Sequence, residues 1–150
     1  MATYARLTAF IAFVLGIGFA IGFSNLPGEW YAHLNKPTFN PPNWVFGPVW
    51  SAIYVLIAIA GWRTWENERS SRAMWLWAVQ MLLNFCWSPI FFSAHRIGTA
   101  LAIIVALLVA IAAFIASQWR ADRVAAALFL PYAAWVAFAA LLNASIWLLN

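Results

Sequence analysis

Five apolar stretches of about twenty residues or more follow one another along this chain, and none carries Asp, Glu, Lys or Arg near its centre. A helix rising about 1.5 Å per residue needs about 20 residues to cross a hydrocarbon core about 30 Å thick. In that medium every backbone N–H and C=O must be satisfied by the protein, which leaves helices or closed barrels. Barrel strands alternate apolar and polar residues over about ten positions. These runs are continuous instead. The expectation is an all-α integral membrane protein, a bundle of five transmembrane helices over residues 5–26, 43–62, 73–93, 97–119 and 124–149 in a single domain, 1–150. With 8% charged residues and 66% hydrophobic ones, the chain lacks the polar side chains to clothe a water-soluble domain, which typically carries about 25% charge. The first run has the outline of a secretory signal, but its length and the Pro27-Gly28 that follows fit a retained helix better.

The net charge of +4 comes from residues scattered among the ends and loops of the spans. That excludes a phosphate-binding face and hence a nucleic-acid partner. Arg6, Arg63, Arg69, Arg72, Arg120 and Arg123 share the side of the N-terminus, whereas Lys36 and Arg96 lie on the other. In a bacterial cell membrane this bias places the N-terminus in the cytoplasm and residues 29–50 outside. Intramembrane charge of the kind used by proton pumps and voltage sensors is missing from the pattern. The single Cys86 has no partner for an internal disulfide. Two histidines, His33 and His95, without CxxC or HxxxH spacing give no transition-metal site. Gly18 and Gly22, and Ala102, Ala106 and Ala110, recur at the four-residue spacing that lets helices approach closely, either within the bundle or between copies.

Residues 29–50, between the first two spans, are rigid and aromatic rather than loose and polar. Pro37, Pro41, Pro42 and Pro48 fix φ, and Trp30, Tyr31, Trp44 and Trp50 lie among them. Proline lowers the entropy cost of ordering a loop, and Trp and Tyr bring flat surfaces with one polar handle. These are properties of a lid over an apolar, aromatic ligand site. Asn43 stands where an N-cap of the second helix is expected.

Within the spans, Gln80, Asn84 and Ser88 recur every four residues and share one helical face. They form either a helix–helix hydrogen-bond seam or a polar stripe facing a ligand. Trp50, Tyr54 and Ile57 share a face of the second span; Tyr132, Trp135, Ala139 and Asn143 share one of the fifth. Trp30, Trp62, Trp65, Trp75, Trp119 and Trp147 sit at span ends as interface anchors. Trp50 and Trp135 lie about two turns inside their helices, and with the small Ala139 they outline a slot for a flat ring. Pro89 is expected to kink or end the third helix, with Ser88 and Ser93 serving the freed carbonyl. His33 lies in the lid, as a solvated loop residue or as one approaching a ligand.

Taken together, Trp30-Tyr31, Asn35-Lys36-Pro37, Pro41-Pro42, Trp44, Phe46-Gly47-Pro48-Val49-Trp50, the run Leu83-Asn84 to Trp87-Ser88-Pro89 with Phe91-Phe92, and Pro131-Tyr132 with Trp135 resemble the TspO/MBR family of tryptophan-rich sensory and translocator proteins. The resemblance covers essentially the whole chain. It implies a five-helix bundle, often a homodimer, with a pocket under the loop between the first two helices. It also implies protoporphyrin IX, other tetrapyrroles, benzodiazepine-type and isoquinoline compounds as ligands, with no cofactor required. Carried onto this sequence, the pocket residues are Tyr31, Pro41, Pro42, Trp50, Asn84, Trp87, Trp135 and Ala139. The function so implied is a membrane receptor for porphyrins or similar planar ligands that regulates porphyrin metabolism or stress signalling. One alternative is light- and oxygen-dependent porphyrin degradation by the pair Trp50 and Trp135. Another is transport of a porphyrin or metabolite, although no inverted repeat supports an alternating-access carrier. The sterol-recognition pattern of vertebrate members needs a Tyr and then a basic residue, and neither follows Trp135, so sterol binding by that motif is not expected.

Overall fold

The computed structural model describes residues 2–67, 69 and 71–150. Among them the elements run α1 (Ala2–Ser24), α2 (Glu29–His33), α3 (Phe46–Asn67), α4 (Arg72–Ser88), α5 (Ile97–Gln118), α6 (Arg123–Leu128) and α7 (Leu130–Leu149), without a strand. Five segments are long and apolar enough to cross a membrane, α6 and α7 together forming the last. The all-helical, five-span architecture expected from hydropathy is the one observed.

Helix ends follow from local chemistry. Pro27 and Gly28 cannot extend α1, and the Asn25 side chain takes up its last turn by donating to the Ile21 carbonyl at 2.7 Å. Ser71 caps α4 by accepting from the Met74 N–H at 3.1 Å. Asn43 does not cap the second span as expected: with Trp44 and Val45 it forms a 3₁₀ turn that leads into α3. The prolines Pro41 and Pro42 hold the preceding chain extended, so the turn tightens before the helix can open. Pro89 removes a donor, and the helix answers by widening into a π turn over Pro89–Ser93. The Ser93 hydroxyl does not serve a freed carbonyl there; it donates to the Asn25 side chain of α1. His95 then turns the chain with φ 55°, a left-handed conformation that His tolerates better than most residues.

Two further departures from the sequence reading have visible causes. The second helix continues past residue 62 to Asn67 because its polar end finds partners: Glu66 pairs with Arg6 at 2.8 Å and Arg63 with Asp122 at 2.9 Å. Residues 68 and 70 of the polar segment that follows lie outside the described residues. The last span is broken at Phe129, where Pro131 brings no N–H to the Ala127 carbonyl and the Phe129 N–H closes a tighter turn on the Ala126 carbonyl at 3.1 Å.

Packing places α4 along α5, α5 along α7, and α1 along α3. Ile57, Ile104, Leu107, Ile111, Phe114, Phe129 and Val136 form the buried centre, with the Phe114 and Phe129 rings 4.1 Å apart. Phe13, Leu82, Val105, Val109, Leu141 and Leu148 face outward. In water such an apolar coat would drive aggregation; in a bilayer it is the solvated surface. Close approach is set by glycine at two places. A Cβ on Gly18 would run into the Tyr54 ring, and one on Gly61 into the Trp77 indole. The Trp77 indole is fixed there by donating to the Ile57 carbonyl at 3.0 Å. Half of the GxxxG pair is therefore an internal contact.

Asp122 gathers the polar end of the bundle. Its carboxylate accepts two bonds from Arg63 at 2.9 and 3.0 Å, and caps α6 through the N–H groups of Val124 and Ala125. Burial pushes this carboxyl up, but the Arg63 guanidinium and the two amides outweigh it and hold it below the ordinary carboxylate range. A lowered folded-state value means that the stabilisation is complete above the unfolded value, about 3.9, and is lost as pH falls through the folded one.

Two outcomes are expected. Gly61→Ala should lose about 1–3 kcal/mol of stability by overpacking, whereas Gly16→Ala, with open space around its Cβ, should lose none; unfolding titrations in detergent compare them. Asp122→Asn should be less stable at neutral pH, with the gap to the native chain closing as pH falls below about 3.9, read as thermal midpoint against pH.

Candidate ligand-binding site

Between the C-terminal half of α1, the start of α3, the end of α4 and the second half of α7, the helices part around a cavity of about 730 Å³. Small residues make the room: Gly18 and Gly22 on α1, Gly47 on α3 and Ala139 on α7 all border it. Aromatic side chains supply most of the wall. Trp50 and Tyr54 lie with centroids 5.4 Å apart. On the other side the Trp87 and Phe91 rings stack at 5.3 Å, and Phe92 meets Phe91 edge-on at 4.9 Å. Every residue on the wall is uncharged.

The loop closes one end. Tyr31 of α2 is buried, its ring edge-on to Phe91 and Phe92, and its hydroxyl donates to Asn40 at 3.2 Å. Burial pushes the Tyr31 phenol up, the bond to Asn40 opposing, so it stays neutral at physiological pH. Lys36 lies 4.7 Å above the Tyr31 ring and donates to the carbonyls of Ala32 and Leu34. Trp30 stacks on His95 at 4.2 Å and 15°, which ties the lid to the turn before α5. Asn35 and Asn150 tie it to the end of α7: the Asn35 N–H donates to the Asn150 side chain at 3.0 Å, and the Asn150 amide donates back to the Asn35 carbonyl at 3.0 Å.

The floor is polar. The Tyr54 hydroxyl lies 3.2 Å from Asn84 Oδ1, Asn84 Nδ2 lies 2.9 Å from the Tyr132 hydroxyl, and that hydroxyl lies 2.9 Å from Gln80 Oε1. A second link runs from the Trp87 indole N–H to Asn143 Oδ1 at 3.1 Å, and from Asn143 Nδ2 to the Ile97 carbonyl at 3.0 Å. The stripe read from Gln80, Asn84 and Ser88 divides accordingly. Gln80 is seam, Ser88 is wall, and Asn84 is both.

Of the expected pocket residues, Tyr31, Trp50, Asn84, Trp87 and Ala139 border the cavity. Pro41 and Pro42 border an adjoining recess of about 420 Å³ that shares Tyr31 and includes Lys36 and Asn40. Trp135 is on neither wall; it packs at 5.7 Å against both Phe46 and Phe138, and Phe46 stands on the cavity wall. The helical period explains the offset. At about 100° per residue, Ala139 and Asn143 return to within about 20° of Tyr132, whereas Trp135 lies about 60° round. His33 stays outside, its Nδ1 2.7 Å from the Glu29 carbonyl. Sequence reasoning missed the α1 wall (Phe19, Phe23, Asn25) and Tyr54 as a site residue. The glycine pair on α1 was a signal for the former, and the spacing of Tyr54 from Trp50 was one for the latter.

Fold and site together define a class: a small five-helix membrane protein holding an uncharged, aromatic cavity under an ordered loop. Residues 10–148 match the model of the TspO/MBR family. The chain is 41% identical over 149 residues to the tryptophan-rich protein TspO of Archaeoglobus fulgidus, covering 97% of each. It is 39% identical over 128 residues to protein CrtK of Rhodobacter capsulatus, covering 83% of this chain and 80% of that one. Against the human translocator protein it is 35% identical over 139 residues, covering 87% and 82%. The chain belongs to the TspO/MBR family.

Proposed function

We propose that this protein is a membrane receptor for protoporphyrin IX, related tetrapyrroles or other planar apolar ligands, coupling their level to porphyrin metabolism or stress signalling. The observation that carries the reading is the cavity itself: about 730 Å³, uncharged, and walled by Trp50, Tyr54, Trp87, Phe91 and Phe92. Small-molecule sites are typically 300–1,000 Å³, mostly apolar, with a few placed polar groups. A flat macrocycle gains from every ring it lies against, and the ordered loop has already met much of the entropy cost of closing over it. Anionic substituents find no cation on the cavity wall. They are accommodated at the lid end, where Lys36 and Asn40 border the adjoining recess.

In a bacterial cell membrane the charge bias supports the Arg63–Asp122 end facing the cytoplasm and the lid facing outward, with the receptor opening away from the N-terminal side. A homodimer fits the outward-facing small residues Ala102 and Ala106 of α5. Trp50 borders the cavity directly, whereas Trp135 reaches it only through Phe46. Binding therefore draws more support from the geometry than a paired-indole oxidation does.

Ala139→Leu is expected to fill the slot and weaken protoporphyrin binding at least tenfold, read as loss of tryptophan quenching. Trp135→Phe should keep most of the affinity. Undiminished quenching in Ala139→Leu contradicts the reading.

A further inference from the structure

The floor of the cavity contains a buried donor with nothing to donate to. Gln80 is fully buried, its Oε1 accepts from Tyr132, and its Nε2 has no acceptor among the described residues. Such an orphan is costly in a protein interior and more so in hydrocarbon. Oriented this way, the chain runs inward: Tyr54 donates to Asn84, Asn84 to Tyr132, and Tyr132 to Gln80. From Tyr54 the cavity then receives only lone pairs.

The same heavy-atom positions support the opposite direction. An amide exchanges its N and O by a half-turn, and a hydroxyl donates wherever an acceptor stands. With Gln80 and Asn84 both turned, Gln80 donates to Tyr132, Tyr132 to Asn84, and Asn84 to the Tyr54 oxygen. The nitrogen of Gln80 gains an acceptor and its oxygen takes the unpartnered place, so each direction leaves one amide atom of Gln80 unpaired and neither is locked in. The Tyr54 O–H, released from Asn84, becomes free for whatever occupies the cavity. Tyr54 and Asn84 border the cavity, while Tyr132 and Gln80 lie fully buried behind them. The outermost member of the chain is therefore the one that faces a guest.

We propose that Tyr54, Asn84, Tyr132 and Gln80 form a hydrogen-bond relay of reversible direction, through which Tyr54 selects guests that carry a neutral acceptor, a carbonyl or an aza nitrogen, deep in the cavity. Tyr54 is the specificity-determining residue and the other three are positioning residues. The inference rests on the cavity being a ligand site, and it adds a chemical requirement that the guest's flatness alone does not impose. Neutral acceptors are the class it names because no cation on the wall would compensate a buried carboxylate.

The test compares benzophenone with diphenylmethane, which share two phenyl rings and differ in the carbonyl, bound to the full-length protein in nanodiscs. The native protein is expected to prefer benzophenone about two- to tenfold. Tyr54→Phe should bring that ratio to about one. Gln80→Met removes the acceptor of Tyr132, leaving Asn84 as its only acceptor, and so fixes the relay in the outward direction; its ratio should equal or exceed the native one. A purely structural role for Gln80 predicts a fall instead, and that result overturns the relay. Should the variants fail to fold, the infrared carbonyl stretch of ¹³C-labelled benzophenone on the native protein decides. A shift to lower frequency, relative to the probe in hexane, supports donation from the floor. An unshifted band, or no binding of benzophenone, overturns the proposal. If protoporphyrin IX fails to bind while the ratio and the band behave as stated, the tetrapyrrole reading falls and the relay stands. A ratio of one in the native protein, with protoporphyrin bound, does the reverse.

Discussion

Hydrocarbon offers no partner to a polar group, and that constraint organises this molecule. Gln80, Asn84, Tyr132 and Asn143 are buried within membrane-spanning helices; the first three bond to one another, and Asn143 bonds to Trp87 and the Ile97 carbonyl. Their bonds join α3, α4 and α7 at the level where the cavity begins. Interhelical bonds in lipid contribute only about 0.6 kcal/mol each, so their effect is positional more than energetic. They fix the register of three helices whose apolar faces would otherwise slide. The positions of Trp50, Trp87 and Ala139 around the empty space follow from that register.

Above the floor the site is built by omission and by stiffness. Gly18, Gly22, Gly47 and Ala139 leave out the side chains that would fill the gap, while Trp50, Trp87, Phe91 and Phe92 line what remains. The loop is held at separate places, by Trp30 on His95 and by Asn35 on Asn150. Prolines 37, 41 and 42 limit what it can do between them. The opposite end of the bundle uses different chemistry: ion pairs of Arg6 with Glu66 and of Arg63 with Asp122, where water and headgroups can screen them. One end is tied by charge and the other by rings and amides, and the uncharged cavity opens at the second.

Much of this was legible in the sequence because the signals are strong and local. Hydropathy marks five spans, and glycine and proline mark where α1 stops. Spacings of four and seven put Tyr54 with Trp50 and Ala139 with Tyr132. What escaped depended on relations between distant residues. Spacing alone grouped Trp135 with Tyr132, yet an offset of about 60° is enough to place it behind Phe46. Pro89 announces a disturbance, but only the neighbouring helices decide that the result is a π turn rather than a kink. The α1 wall was hidden because its glycines read equally well as a contact between copies. The role of Asp122 needed both Arg63, far away in sequence, and the start of α6.

The central claim is that a planar guest lies in the cavity against Trp50 and beneath the loop. Solid-state NMR on the protein in lipid, with ¹⁵N-labelled indoles and ¹³C-labelled protoporphyrin IX, tests it directly through which tryptophans show dipolar contact with the macrocycle. The account predicts contacts to the indole nitrogens of Trp50 and Trp87 and none to the outward-facing Trp75 and Trp119. Contacts confined to Trp75, Trp119 or Trp147 would contradict it, because they would place the macrocycle on the lipid-facing surface.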